Sequence, residues 1–216
     1  TVWGAGYRSS CDEVSGSAVF QFQRPTLSTN LYSGFVQQEA DFLTDRLRFL
    51  IGSKLEYNDF TGIEIQPSAR AIWVAQDWSV WGAVSRAVRT PSRYEDYLIF
   101  DVGNTTAPPS TESSPVIRAA LVGDPNLEAE NLLAWELGAR KKWGDRVSAD
   151  LSAYYHDYRD LITIKLDDPV VSLDVMDPGG MTIPVLIEQN LSITNGRTGE
   201  IYGFEAAIDW QVTDRW

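Results

Sequence analysis

The stretch from Glu130 to Tyr158 constrains the fold most, because it alternates apolar and polar residues on both sides of one tight turn. A period of two residues is that of a β-strand, in which successive side chains point to opposite faces. The turn is Lys142 to Asp145, and the apolar positions around it are Trp135, Leu137, Ala139, Val147, Ala149, Leu151, Ala153 and Tyr155. The stretch therefore predicts an amphipathic β-hairpin.

The opposite face of this hairpin carries Glu136, Arg140, Asp150 and His156. A soluble β-core could not bury such groups unpaired without a large energetic cost, so the face either meets water or is paired. Each strand is about ten residues long, which is enough for a tilted strand to cross the hydrocarbon layer of a membrane. Both facts fit an outer-membrane β-hairpin. One sheet of a soluble sandwich or barrel alternates in the same way, usually with shorter strands, and stays open as the alternative.

The rest of the chain shows more alternating runs, separated by connections of unequal length. The predicted strands outside the hairpin are 3–7, 17–23, 31–42, 46–58, 66–74, 79–88 and 201–212, and residues 8–16 are expected to form a polar loop. Short turns are predicted at 43–45, 75–78 and 142–145, and long irregular segments at 89–126 and 159–198. Within the second long segment, 170–176 and 181–188 flank Asp177-Pro178-Gly179-Gly180 and predict a hairpin.

This alternation of short and long connections is typical of outer-membrane barrels, whose inner turns are short and outer loops long. In a compact soluble domain, a structureless loop as long as 89–126 would count against the assignment.

The tryptophans strengthen the membrane interpretation, because most of them fall in or near the short turns. These are Trp73, Trp78, Trp81, Trp143, Trp210 and Trp216. If the short turns share one end of a barrel, the indoles form a ring at the level of the lipid headgroups, with Tyr57, Tyr155 and Tyr158 in a second ring at the other end. Aromatic residues that cap a soluble core are the alternative, but they have no reason to collect at short turns.

Composition excludes several classes of protein without deciding between a barrel and a soluble domain. The chain is 44% hydrophobic, which fits either, and no run approaches the ~20 apolar residues of a membrane helix. Its net charge of −12 and lack of a basic patch argue against nucleic acid as a partner. Cys11 has no second cysteine to pair with and is interpreted as incidental. The chain opens in what looks like mid-strand without a signal peptide, so we expect a truncated product.

Several segments resemble the middle of the barrel of TonB-dependent outer-membrane receptors, in the family's order. They are SGFVQQEADF, DRLRFLIGSKLEYNDFTGIEIQPSARAIW, WGAVSRAVRTPSRYED, GDPNLEAENLLAWELGARKKWGDRVSADLSAYYHDYRDLI and NGRTGEIYGFEAAIDW. Asp124 to Glu130, followed by Glu136-Leu137-Gly138, is similar to the family's entry into a mid-barrel strand. Ala129 departs from the pattern, since the family more often has proline there. The resemblance covers most of the chain from Leu31 onward.

The resemblance implies an all-β antiparallel meander of about eight to nine transmembrane strands, part of a 22-stranded barrel in the outer membrane of a Gram-negative bacterium. It also implies active uptake of a scarce ligand, such as a ferric siderophore, cobalamin or another large nutrient, driven by the TonB complex. Residues 1–216 are expected to be a partial barrel domain without the family's plug domain, a fragment that neither closes nor transports alone. Outer-membrane lipid, the TonB complex, the receptor's own plug and a small-molecule or metal-chelate ligand are the expected partners. A soluble or periplasmic β-sheet ligand-binding module is the alternative.

Candidate ligand-binding residues lie where the strands meet the long loops. Arg86 is opposite the face of Trp81, so it is expected to point into the lumen if Trp81 faces lipid. Arg89, Arg93 and Tyr94 follow at the base of the long loop, where guanidinium and phenol groups suit carboxylate or catecholate ligands. The competing interpretation is that these arginines pair with acids of the lumen, such as Glu136 or Glu56, or with the plug.

His156 is a further candidate ligand contact, and it also raises the question of catalysis. With Ser152 and Asp157 it could form a nucleophilic triad, but no nucleophile-elbow glycines surround Ser152, so a lumen histidine satisfied by hydrogen bonds is favoured. Loop acids could bind Ca²⁺, although their spacing matches no calcium-loop template, and they are Asp167, Asp168, Asp174 and Asp177. We therefore expect no enzyme activity, no cofactor and no metal site.

Overall fold

A computed structural model of the chain describes residues 1–44, 46–106, 116–172 and 186–213. Within these residues the chain forms one sheet of twelve strands and one short helix. The elements are β1 (Val2–Glu13), β2 (Phe20–Phe22), β3 (Thr26–Phe42), β4 (Leu47–Asn58), β5 (Gly62–Val74), β6 (Trp78–Arg89), α1 (Arg93–Tyr97), β7 (Leu98–Thr106), β8 (Val116–Val122), β9 (Glu130–Trp143), β10 (Val147–Leu166), β11 (Val170–Ser172) and β12 (Leu186–Trp210).

Eight long strands form an antiparallel meander in the order β1-β3-β4-β5-β6-β9-β10-β12. Each contains at least twelve residues, which exceeds the usual length of a strand in a soluble protein. This confirms the predicted all-β meander of about eight to nine strands, which builds part of a barrel wall. None of the described helices is both long and apolar enough to cross a membrane.

The two ends of the meander differ, as predicted. Connections at 43–46, 75–77 and 144–146 close one end, which we call the short-turn end, and they lie within two residues of the predicted turns. The connections 14–25 and 59–61 lie at the opposite end, which we call the loop end, as do the described residues 90–106, 116–129 and 167–172 of the other two connections.

Three segments predicted to be irregular contain regular elements within the described residues. Residues 8–13 continue β1 and pair with 26–31 of β3, so the prediction of a polar loop over 8–16 is wrong there. The segment 89–126, predicted to be irregular, contains α1, β7 and β8, and the segment 159–198 contains the upper parts of β10 and β12. The loop-end parts of these segments bury single residues such as Tyr97 and Ile193 without a regular alternation that the sequence could show. The hairpin predicted at 170–188 is present as the pairing of β11 with Leu186–Glu188, and its turn 177–180 lies outside the described residues.

A smaller sheet at the loop end links the first and last strands of the meander. β2 pairs with β7, β7 with β8, and β8 runs parallel to the first residues of β12. β2 belongs to the connection between β1 and β3, so this loop-end sheet joins both halves of the meander. Its core is a cluster of Phe22, Leu27 and Tyr97, packed by Phe20 and Phe60 among others.

The meander has one apolar and one polar face, because residues paired across strands share a face. One row of the apolar face is Val80, Ala139, Leu151 and Ala206. Large side chains on this face are uncovered; Tyr202 and Phe204 are each 78% exposed. A second sheet packed on this face, which the soluble alternative requires, is absent from the described residues. An uncovered apolar face of this extent fits lipid.

Candidate functional site

The predicted ligand-binding arginines lie close together at the loop end. Arg86 and Arg89 occupy the end of β6, and Arg93 and Tyr94 begin α1 after three intervening residues. α1 forms there because Ser92 is its N-cap and the Glu95 carboxylate accepts a hydrogen bond from the Ser92 amide at 2.7 Å. The cap therefore fixes the direction in which Arg93 and Tyr94 leave the strand.

Arg89 is held between two carboxylates. Its Nε donates to Glu130 Oε2 at 2.5 Å, and its terminal nitrogens donate to the two oxygens of Glu95 at 3.1 and 2.8 Å. Glu130 also accepts the amide of Ile162 at 2.8 Å, so β6, α1, β9 and β10 meet at this one guanidinium. Burial alone raises the pKa of Glu95, but the hydrogen bonds from Arg89 and Ser92 outweigh it and lower that pKa below its usual range.

Arg93 fastens the β1–β3 connection to α1. Its guanidinium pairs with Asp12, donates to the carbonyls of Arg24 and Pro25 at 2.7 and 2.6 Å, and stacks over the ring of Phe22 at 4.4 Å. The side chain is only 10% exposed. Arg93 thus has a structural role. Its guanidinium is much less accessible to a ligand than that of Arg89, whose side chain is 50% exposed.

Arg86, on β6, fills a gap in the sheet between β5 and β6, beyond the end of their ladder. The β5–β6 ladder ends at Ser68 and Ser85, next to Pro67, which has no amide hydrogen to donate. The Arg86 guanidinium instead bonds to the carbonyl of Ile65, the side chain of Asn131 and, at 3.3 Å, the carboxylate of Glu64. It borders a cleft of about 510 Å³ lined by Phe60, Thr61, Glu64, Pro125, Asn126, Leu127, Glu128, Ala129 and Asn131.

The three arginines are therefore paired with acids, as the competing interpretation expects, but the partners are Asp12, Glu64, Glu95 and Glu130. Glu56 pairs with Lys54 instead. Tyr94 packs edge-on against Phe22 at 5.3 Å and leaves 57% of its surface exposed. Arg89 and Tyr94 are the two predicted residues that combine suitable chemistry with open surface.

Asp96 is a buried acid that sequence reasoning missed. It is 2% exposed, and within the described part of the chain its Oδ1 has no hydrogen-bond partner. Burial, reinforced by the charges of Glu95 and Asp124, raises the pKa of Asp96 to about 7. Asp96 lies in α1, against which the backbone of Gly123 packs closely. A side chain on Gly123 would overlap the α1 backbone at Glu95 and Asp96.

His156 lies on the polar face, in a group we call the inner-face cluster: Arg70, Trp81, Glu136, Tyr154 and His156. The imidazole stacks on Tyr154 at 5.0 Å, and its Nε2 is 3.9 Å from Glu136 Oε1 without a hydrogen bond. The hypothetical triad is not assembled, because Asp157 lies on the opposite face of β10 and pairs with Arg159 at 2.9 Å.

Trp81 is also in this cluster, so the prediction that places it among the lipid-facing aromatics is wrong. It is paired with Ile72 and Gly138 on the polar face, and the guanidinium of Arg70 lies 4.8 Å from its ring. The indole covers Gly138 so tightly that a Cβ there would be 2.3 Å from the ring nitrogen. Arg86 lies on the opposite side of β6 from Trp81, as predicted, and therefore starts from the apolar face of the sheet. Its guanidinium reaches Glu64 through the gap beside Pro67.

Four of the predicted interface tryptophans lie on the apolar face at the short-turn end: Trp73, Trp78, Trp143 and Trp210. Trp216 lies outside the described residues. At the loop end, Trp135, Tyr155 and Tyr202 form one aromatic row and Tyr7, Tyr32 and Tyr57 another, whereas Tyr158 is on the polar face beside His156. The two aromatic levels are about 26 Å apart along β10, at ~3.3 Å per residue. At a strand tilt of about 40°, this corresponds to about 20 Å along the membrane normal.

Within the described residues, no three acidic, histidine or cysteine side chains are grouped so that they could hold a metal ion. Asp167 instead accepts a hydrogen bond from Ser192 at 2.8 Å, and Asp174 and Asp177 lie outside the described residues. Among the predicted site residues, Arg89 thus offers a guanidinium and Tyr94 a phenol at the surface of the loop end.

Comparison with known proteins agrees with this architecture. A family model described as "TonB dependent receptor-like, beta-barrel" matches residues 1–216. The chain is similar to the iron-regulated outer membrane virulence protein of Vibrio cholerae O395, with 26% identity over 141 residues that cover 65% of this chain and 20% of that protein. The chain therefore spans about one fifth of the length of the curated relatives it matches.

Solved structures show the same fold. The siderophore receptor PirA from Acinetobacter baumannii superposes with a TM-score of 0.69 at 19% identity, covering 88% of this chain and 27% of that one. A variant of the ferric enterobactin receptor PfeA from Pseudomonas aeruginosa gives a TM-score of 0.72 at 17% identity, covering 98% and 30%.

Proposed function

Because the chain belongs to the TonB dependent receptor-like β-barrel family, we propose that it forms part of an active transporter that binds and imports a scarce large nutrient. It lies in the outer membrane of a Gram-negative bacterium. The observation that carries the proposal is the two-faced meander, with an uncovered apolar face between two aromatic levels and a polar face behind it. Such a wall separates lipid from a polar lumen.

The proposed ligand is an iron chelate of the siderophore type, with cobalamin or another large nutrient as the wider class. Support comes from the relatives, which are an iron-regulated outer membrane protein and receptors for siderophores. The loop end adds a chemical argument, because an exposed arginine and an exposed tyrosine suit the anionic oxygens and aromatic rings of such chelates. In the proposal, the loop end faces the cell exterior and Arg89 and Tyr94 contact the ligand first.

The remaining parts of the transporter are proposed from the family. A plug domain of the same receptor packs on the polar face, where the inner-face cluster presents Arg70, Glu136 and His156. The TonB complex supplies the energy for transport. The open edges of the meander, β1 and the lower part of β12, pair with further strands of the barrel, because an open edge of this length does not persist in a membrane.

Uptake by the full-length receptor tests the proposal. Cells that express it as their one iron-chelate receptor are given ⁵⁵Fe bound to a catecholate or to a hydroxamate siderophore, with cobalamin as a separate probe and with TonB present or deleted. The proposal expects TonB-dependent accumulation of one probe. Accumulation that is unchanged without TonB, or none with any probe, contradicts it.

Substitution of Arg89 tests the site within the same assay. Arg89→Ala is expected to weaken binding of the accepted chelate about tenfold, the effect of losing one charge-assisted hydrogen bond. Arg159→Ala is the matched control, because Arg159 is also an exposed, acid-paired arginine near the loop end but projects from the opposite face of the sheet. Equal affinities of the two variants would remove Arg89 from the site and leave the transport proposal intact.

A further inference from the structure

A continuous groove crosses the apolar face near the short-turn end. Its upper part encloses about 500 Å³ over the small residues Ala71, Gly82, Ala139 and Ala153, between walls that include Trp73 and Leu151. These residues come from β5, β6, β9 and β10 and share the apolar face by their register. Small side chains beside large ones on one sheet surface leave a depression that the protein itself does not fill.

The groove continues towards the short turns. A lower part of about 360 Å³ shares Val80, Ala139 and Leu151 with the upper one and runs over Ala149 to Trp78 and Lys141. Together the two parts reach from mid-membrane to the tryptophan level. Each volume falls in the range of roughly 300–1,000 Å³ typical of small-molecule sites.

Lys141 is a cation on the face that meets lipid. It stands in one cross-strand row with Trp78, Ala149 and Ile208, all on the apolar face. Its ammonium lies 5.3 Å from the ring centre of Trp143, and among the described residues no carboxylate pairs with it. The neighbouring Arg140, on the polar face, does have such a partner in Asp150 at 3.3 Å. A positive charge on the lipid side that lacks a carboxylate partner needs water or an anion at the headgroup level.

We propose that this groove binds an anionic phospholipid of the periplasmic leaflet. One acyl chain lies over Ala139 and Ala153, and the phosphate meets Lys141 between Trp78 and Trp143. The leaflet follows from the short turns, which face the periplasm in barrels of this kind, and the headgroup charge follows from the sign of Lys141. The inference depends on the outer-membrane location of the chain and is independent of which nutrient is imported.

Native mass spectrometry of the full-length receptor in detergent tests the lipid site. The protein is mixed with phosphatidylglycerol or with phosphatidylcholine of identical acyl chains, and the retained lipid is counted. Lys141→Gln removes the charge, and Lys142→Gln on the opposite face is its control. Ala139→Leu fills the groove, and Ala40→Leu on the apolar face of β3, outside the groove, is its control. Migration of unheated and heated protein in gels verifies that each variant is folded.

The proposal expects wild-type protein to retain phosphatidylglycerol preferentially. Lys141→Gln should lower that preference about fivefold, the contribution of one lysine beside an anionic lipid, while Lys142→Gln leaves it unchanged. Ala139→Leu should reduce retention of both lipids relative to Ala40→Leu. Equal behaviour of Lys141→Gln and Lys142→Gln, or of Ala139→Leu and Ala40→Leu, would overturn the site and leave only the general lipid belt that surrounds any barrel.

Discussion

Replacing Arg93 with alanine is expected to release the β1–β3 connection from α1. The Arg93 guanidinium makes an ion pair with Asp12, two hydrogen bonds to backbone carbonyls and a stacking contact with Phe22. Since β2 lies in that connection and pairs with β7, these contacts hold one end of the loop-end sheet in place. Their loss should open this region locally and leave the meander folded.

The size of the effect follows from the burial of the side chain. A hydrogen bond to a charged group contributes about 1.5–3 kcal/mol, and the carbonyls of Arg24 and Pro25 would lose their charged donor. Part of this loss is recovered by water, because the site is at the edge of the sheet. A net cost of about 3 kcal/mol therefore corresponds to roughly a hundredfold increase in local opening.

Amide hydrogen exchange of the full-length receptor measures this opening directly. The reporter is the amide of Gln23, which donates to the carbonyl of Tyr97 at 2.8 Å and so bridges the two segments. Arg24→Ala is the matched control, because the Arg24 guanidinium stacks on Tyr97, a contact that contributes about 0.5–1 kcal/mol, and acts on Asp96 through its charge, but makes none of the contacts of Arg93. Exchange at Gln23 should quicken roughly a hundredfold in Arg93→Ala and at most about fivefold in Arg24→Ala.

Two results would refute this reasoning. Unchanged exchange at Gln23 in Arg93→Ala would mean that the contacts of Arg93 do not hold the connection. Equal acceleration in the ladder between β4 and β5 would mean that the loop end and the meander open together, so that no local clamp exists.

Two further predictions concern residues that the functional proposal does not use. The raised pKa of Asp96 favours its neutral form in the folded loop, so stability contributed by this group is present at low pH and falls as the pH rises towards and past about 7. Opening of α1, measured by amide hydrogen exchange corrected for intrinsic rates, should increase about tenfold from pH 6 to 8. If the same pH dependence persists in Asp96→Asn, the titration of Asp96 is not its cause. Gly138→Ala places a methyl group against the ring of Trp81 and should destabilise the folded barrel by about 1–3 kcal/mol in thermal unfolding. Gly34→Ala, whose Cβ meets only ordinary contacts, should be close to neutral, and equal melting of both variants would show that Trp81 can move aside.

The meander was predictable because one physical rule governs it. Every strand between lipid and lumen must alternate, and every short turn must end that alternation within a few residues, so the turns at 43–46, 75–77 and 144–146 were located closely. The face on which each side chain lies was predictable only in part. The position of Trp81 near a short turn predicts a lipid-facing anchor, but the indole lies on the polar face, where Gly138 opposite it provides room for the ring.

The loop end was not predictable by that rule. Residues 8–13 and the strands β7 and β8 do not alternate regularly between apolar and polar residues, so no periodicity distinguishes them from irregular loop. Their order depends on long-range partners such as the Arg93–Asp12 pair, which is 81 residues apart in sequence. The capping sequence Ser92 to Glu95 was the one local signal that could have revealed α1.

The candidate site shows the same division. Arg89 and Tyr94 could be chosen from their chemistry and their place at the end of a strand. The acids that hold Arg89 could not, because Glu95 and Glu130 come from elements whose approach is decided by the fold of the whole loop end.

The measurement that most directly tests the account is solvent accessibility along β10 in the full-length receptor reconstituted into lipid. After Cys11 and any further native cysteine of the receptor are replaced by serine, nitroxide labels are placed in turn at Leu151, Ser152, Ala153 and Tyr154, and their relaxation by oxygen and by a water-soluble nickel complex is compared. The account predicts strict alternation, with 151 and 153 accessible to oxygen in the lipid and 152 and 154 shielded from lipid oxygen, because they face the lumen and the plug. Uniform accessibility to nickel along the strand would contradict it, because the apolar face would then meet water and not lipid.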